Sequence, residues 1–177
     1  MFIINWPEGS EPAWYVDELI ANEIAAPVLT RYQDQIALWR FHRRATRDAA
    51  GHGFSVIFYS SATTGRAIGD ELARHPLLKA LTDDGIIKGL NQPDYNDNSS
   101  QQIGDTADPR WPDAIKSGWA YYIQGVSQSW LAMIRQFAAD SEGAAALDLR
   151  QMLALYKGVD DKMTSTWQSE GGHAYLH

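Results

Sequence analysis

The run FSVIFY at residues 54–59 constrains this chain more than any other stretch, because it is apolar on nearly every position and rich in aromatic and β-branched types. A strand with two apolar faces must be covered on both sides, so it belongs at the centre of a sheet. Just before it stands Trp39-Arg40-Phe41-His42-Arg43-Arg44-Ala45. Strand side chains alternate between faces, which puts Trp39, Phe41, Arg43 and Ala45 on one side and Arg40, His42 and Arg44 on the other. Residues 46–53 form a polar connector holding Gly51 and Gly53, the usual punctuation between strands. The pair reads as a hairpin with a long loop, its basic strand lying beside the buried one.

The flanking segments complete a pattern. Phe2-Ile3-Ile4 is a short strand halted by Trp6-Pro7. Ser10 is placed to cap a helix in which Val16, Leu19, Ile20 and Ile24 recur at helical spacing, and Pro27 is set to kink or restart it. After the hairpin, Ser60-Ser61-Ala62-Thr63-Thr64-Gly65 opens a second helix, interrupted at Pro76 and closed by Asp83-Asp84-Gly85, and residues 86–90 form a last strand. Strand, helix, strand, strand, helix, strand over residues 2–90 predicts an α+β fold of the ferredoxin-like βαββαβ kind. Its antiparallel sheet has the first and third strands central and both helices on one face.

A polar, acidic loop follows at 91–110, and residues 111–177 read as helical, the whole forming a single domain over 1–177. The first of these helices, from Trp111 to about Ala139, is long and amphipathic, spanning roughly 40 Å. Its expected inward stripe is Ile115, Trp119, Tyr122, Val126, Met133 and Phe137, widened by Ile123, Trp130 and Ile134, with Lys116, Gln124, Gln128 and Arg135 opposite. Such a helix would cross the open face of the sheet or support a homodimer seam. A second helix over 144–156 follows, and then a short last one capped by Asp160 or Asp161.

Composition narrows the function. Lys plus Arg is 15 against 22 Asp plus Glu, a net charge of −7, which argues against nucleic acid or an anionic membrane as partner. One basic cluster in an acidic whole suits a small anionic group better. The chain has no cysteine, so disulfides and thiol chemistry are excluded. The opening MFIINWPEGS carries neither a basic leader nor a spanning length of apolar residues, and a cytoplasmic location is the expectation. Seven tryptophans and eight tyrosines point first to a large aromatic core and second to an aromatic-lined pocket.

Four groups of residues could carry chemistry. Arg40, His42 and Arg44, with Arg43, Arg47 and His52 close by, match a carboxylate or phosphate, since arginine binds planar anions through two donors and histidine exchanges a proton near neutrality. The plain alternative is a solvated strand face paired to the many acids. Thr63 and Thr64 sit where a helix start offers free N–H groups to an anion, although N-capping explains them more simply. Glu170, His173 and His177 have metal-like spacing, but a glycine pair loosens the segment and five histidines form no second compact cluster, so no metal is expected. Asp94, Asp97, Asp105 and Asp108 lack the order of a calcium loop.

Trp39-Arg40-Phe41-His42-Arg43 and Gly51-His52 followed by the strand at 54–59 resemble motifs of the C-terminal, elimination-type domain of lanthipeptide dehydratases and of stand-alone thiopeptide-type bacteriocin biosynthesis proteins. Asp84-Gly85-Ile86 and the late His173 are similar too. Where that family has arginines on the strand after its histidine, this chain has Ser55, Val56 and Ile57. The resemblance implies a peptide-tailoring protein that eliminates glutamate from glutamylated Ser or Thr of a precursor peptide without a cofactor. It would make Arg43 the holder of the leaving carboxylate and His52 or His173 the acid/base. The alternative from the residues alone is a non-catalytic ferredoxin-like module that dimerises and binds a small ligand or partner protein.

Overall fold

The chain is described by a computed structural model that covers residues 1–95, 107–140 and 147–171. The run at 54–59 lies inside β3 (His52–Tyr59), which pairs antiparallel with β2 (Leu38–Ala45) on one side and with β1 (Phe2–Ile4) on the other. β1 in turn pairs antiparallel with β4 (Ile87–Leu90), so the four-stranded sheet has the order β2-β3-β1-β4, with the first and third strands central. The strand begins earlier than its apolar pattern: His52 and Gly53 belong to β3, opposite Ala45 and Arg44, and not to the connector. The turn between β2 and β3 is closed by Asp48, whose Oδ1 accepts from the Ala50 amide at 3.0 Å, while Gly51 takes a φ of 60° that only glycine adopts freely.

The register confirms the alternation along β2. Phe41 and Arg43 stand beside Val56 and Phe54, while Arg40, His42 and Arg44 stand beside Ile57, Ser55 and Gly53 on the opposite face. Phe2, Ile4, Phe41 and Phe54 are buried in one core with residues of all the helices that follow, so the helices of the first half lie on that face. α1 (Trp14–Leu19) runs through a π-helical segment (Ile20–Ala25) into α2 (Ala26–Arg31). Pro27 has no N–H to give to the turn before it, and the chain answers with one widened turn, where the Ala26 amide reaches back to the Ala21 carbonyl. Ser10 does not cap this helix. Its hydroxyl donates to the Pro7 carbonyl at 2.7 Å, and the residue ahead of Trp14 is Ala13, without a capping side chain. α3 (Ala62–Ala73) is capped by Ser61, which accepts from the Thr64 amide, and α4 (Pro76–Asp83) by His75, which accepts from the Leu77 amide at 3.3 Å.

α5 (Asp113–Ala139) lies along the free edge of β2 rather than across the open sheet face. The outward amides of β2 find acceptors on it: Trp39 N–H donates to Gln124 Oε1 at 2.9 Å and Phe41 N–H to Ser127 Oγ at 3.0 Å. Covering an edge in this way satisfies donors that would otherwise template aggregation. It also turns the helix from the expected orientation. Ala120, Ser127, Leu131 and Ile134 are buried and Trp130 packs on Phe41 and Phe54, whereas Ile115, Tyr122, Val126 and Met133 are exposed. Gln124, assigned outward from its polarity, faces the sheet edge because an edge strand needs polar partners.

α6 (Leu149–Thr166) opens with a capping box, Asp148 accepting from the Gln151 amide and Gln151 from the Asp148 amide, and runs unbroken past Asp160. Asp160 is therefore a mid-helix residue and not the cap of a separate short helix. α6 packs against α1 and α5, burying Tyr156 and Val159. No helix among the described residues is long and apolar enough to cross a membrane.

Candidate functional site: a buried acid cluster around Arg43 and His52

The helix-covered face of the sheet is apolar except at one end. There β2 supplies Arg43, β3 supplies His52, α1 supplies Asp17 and Glu18, and α6 supplies Asp160. Asp17 and Glu18 are only 0% and 1% exposed. Arg43 Nε donates to Asp17 Oδ2 at 2.8 Å and Nη2 to the Trp14 carbonyl at 3.3 Å. Its guanidinium carbon lies 4.6 Å from the centre of the Trp14 ring and 5.0 Å from that of Trp130, so the cation rests against two indoles. His52 Nε2 hydrogen-bonds Asp17 Oδ2 at 3.2 Å, with Oδ1 at 3.0 Å but outside the donor direction, and its ring meets Trp14 edge-on at 5.0 Å. Asp17 thus serves one cation and one imidazole at once.

Behind Asp17 is a second carboxyl pair. Burial, then the neighbouring Asp160 carboxylate, pushes Glu18 up to about 8. Asp160 is also raised by burial, with Arg43 opposing the rise. Glu18 is thus favoured in its protonated form at neutral pH, because a buried carboxyl beside another carboxylate resists ionisation. Glu18 Oε2 and His52 Nδ1 are buried with no hydrogen-bond partner among the described residues. Farther along, the Tyr156 hydroxyl donates to Glu23 and accepts from Asn22 Nδ2 at 2.7 Å, and burial together with the Glu23 bond raises its pKa. The Arg43 side chain is 30% exposed and Asp160 is half-buried, so these two form the outer rim of the cluster.

Of the residues singled out in the sequence, Arg43 and His52 are brought together, through Asp17. His173 lies outside the described residues. Arg40, His42 and Arg44 share the opposite sheet face. There Arg44 is paired with Asp48, Arg40 Nε is buried without a described partner, and His42 is held below the usual imidazole range by burial and by Arg40 and Arg44. Thr63 is exposed, and the Thr64 hydroxyl is occupied, donating to Gln35 Oε1 at 3.2 Å and accepting from Ser61 Oγ at 3.1 Å. Arg47 stacks on Trp6 at 3.9 Å and donates to the Ser10 carbonyl. Among the described residues no group of three or more His, Asp or Glu is placed to hold a metal ion.

Asp17, Glu18 and Asp160 escape a reading by motif, yet one signal marks the first. Asp17 shares a helical stripe with Ile20 and Ile24, where the period calls for an apolar side chain. No protein-family model, curated protein or solved structure matches this chain. The chemistry of the cluster itself is what bears on function.

Proposed function

We propose that the cluster formed by Asp17, Glu18, Arg43, His52 and Asp160 is an acid–base site that acts on a carboxylate-bearing peptide side chain, in the manner of the glutamate-eliminating domain that the sequence resembles. The observation that carries this reading is the placement of two fully buried carboxyls, Asp17 and Glu18, beside Arg43 and His52, with Asp17 bonded to both and Glu18 pushed above the usual carboxyl range by burial and by Asp160. Perturbed carboxyls of this kind gather at catalytic sites. The strand order β2-β3-β1-β4, with the first and third strands central, supports placing the sheet in the ferredoxin-like class.

The roles follow from exposure. Arg43, on the rim, holds the carboxylate of the glutamyl group. Asp160 takes the α-proton; the C–H electrons form the Cα=Cβ bond, the Cβ–O bond breaks, and glutamate leaves as the carboxylate that Arg43 stabilises. Glu18 stands beside Asp160 in its protonated form. His52 is fully buried and bonded to Asp17, so it acts as a positioning residue, setting Asp17 and through it Arg43.

The test is a synthetic peptide carrying a glutamylated serine, incubated with the purified protein and followed by mass spectrometry. Loss of glutamate to leave dehydroalanine is expected, with Asp160→Asn slowing it by about 10²-fold or more while the melting curve stays cooperative. A wild-type protein that neither converts the peptide nor binds free glutamate overturns the reading. One observation favours a second reading, a binding-only module: the charge of Arg43 is already met by Asp17 and its guanidinium rests against Trp14 and Trp130. That module would bind the glutamylated peptide without turnover in the same assay.

A further inference from the structure

The exposed side of α5 has the composition of an interface. In a chain with 21% charged residues, the stretch from Ser117 to Ile134 carries no charged side chain at all, although half of this helix faces outward. A surface helix ordinarily shows charge on its outer face, and loss of charge marks the centre of protein–protein contacts. The apolar residues there are large and well exposed: Ile115 53%, Tyr121 62%, Tyr122 55%, Val126 39% and Met133 43%. Beside them runs a row of small exposed residues, Gly118, Gly125, Ser129 and Ala132. A Cβ added at Gly118 or Gly125 would meet nothing within 4 Å, so neither glycine is required by packing inside the chain.

We propose that this face pairs with the same face of a second copy, the two α5 helices lying antiparallel about a two-fold axis level with Gly125 and Val126. The spacing of large and small residues argues for this occupant and this direction. In that arrangement Trp119 lies level with Ala132 of the other copy, Tyr122 with Ser129, Met133 with Gly118, and Val126 with Gly125. Each of these four levels then joins one large residue to one small one, which is the self-complementarity a two-fold contact demands. A parallel pair would set Trp119 against Trp119 and glycine against glycine, overfilling some levels and emptying others.

Area is sufficient as well. Tyr121 and Tyr122 together hold roughly 250 Å² of accessible surface at a full value of about 200 Å² per ring. With Ile115, Val126, Met133 and the small row, two copies bring about 1,000 Å² together, the threshold of a specific interface. The cations at the two ends are tied to their own chain, Lys116 to Asp113 at 3.1 Å and Arg135 to Asn22 at 3.4 Å, which limits repulsion across the pair.

The experiment is sedimentation equilibrium of the full chain at micromolar concentrations, with Val126→Glu and Ser129→Glu as variants and circular dichroism as the check on folding. A dimer is expected for the wild type, with dissociation at least about tenfold stronger in each variant and unchanged helical signal. Because the chain has no cysteine, Gly125→Cys and Gly118→Cys each introduce a single thiol. Oxidation should cross-link the first into a covalent dimer and leave the second monomeric on a denaturing gel. A wild type that is monomeric throughout, a dimer untouched by Val126→Glu, or cross-linking at Gly118→Cys overturns the proposal.

Discussion

Arg43 and Arg44 are neighbours in the chain and belong to the same strand, yet they live in different media. Arg43 points into the helix-covered side, where it meets a fully buried carboxylate and rests against two indoles. Arg44 points the other way and pairs with Asp48, whose side chain is 49% exposed. An exposed pair such as Arg44–Asp48 adds little, because water screens it and side chains must be ordered to form it. Removing one partner of a buried pair costs about 3–5 kcal/mol, because the remaining charge is left unsolvated. His42 and His52 repeat the contrast, one exposed beside two arginines and the other sealed against Asp17. Residue type alone says little here, and the face of β2 or β3 on which a side chain stands decides what it can do.

The sharpest way to break this comparison is Asp17→Ala, which removes the acceptor shared by Arg43 and His52. A loss of about 3–5 kcal/mol in urea unfolding is expected, against a far smaller one for Arg44→Ala. Equal losses in the two variants would erase the distinction between the faces.

Glu18 predicts a pH dependence whose direction is fixed. Its folded pKa, about 8, lies above the ordinary value of 4.5, so the folded state holds the proton more tightly. The stabilisation is complete below the ordinary value and is lost as pH rises through the folded one, over a range on the order of 3–5 kcal/mol. Asp160, also raised, acts in the same sense. Urea midpoints should therefore fall between mildly acidic and alkaline pH, and Glu18→Gln should flatten that fall while leaving the acidic midpoint nearly unchanged. An unchanged slope in the variant would remove Glu18 as its source.

Smaller effects follow on the elements that hold the site in place. Tyr156→Phe leaves Glu23 and Asn22 without their shared hydroxyl and should cost about 1–3 kcal/mol in thermal unfolding. Ser127→Ala strips the acceptor from the Phe41 amide on the strand that carries Arg43, and about 1–2 kcal/mol is expected, with faster hydrogen exchange at that amide. If the Phe41 amide stays protected, α5 is not what seals the edge of β2.

Much of the sheet could be read directly from the chain. The two-residue period of strands assigned Phe41 and Arg43 to one face of β2 and Arg40, His42 and Arg44 to the other, and the doubly apolar run at 54–59 marked the strand that lies between two partners. α5 was legible as a helix but not in its rotation. Apolar residues occur around most of its circumference, and the choice between faces was made by two unpaired amides of β2, which drew Ser127 and Gln124 inward and left Tyr122, Val126 and Met133 outside. The π-helical turn before Pro27 was foreshadowed only as a break, since proline removes a donor without specifying how the helix absorbs the loss.

The candidate site divides along the same line. By itself the sequence determined the order of elements in the first half of the chain and the side of the sheet that Arg43 takes, because each depends on backbone geometry a few residues long. Only the tertiary structure decided that Asp17, Glu18 and Asp160 would join Arg43 and His52. A carboxylate in a helix is ordinary until a distant helix covers it. The packing of α6 on α1 takes these acids out of water, and that loss of solvation makes Glu18 and Asp160 hold protons more tightly, while Asp17 serves both an arginine and a histidine.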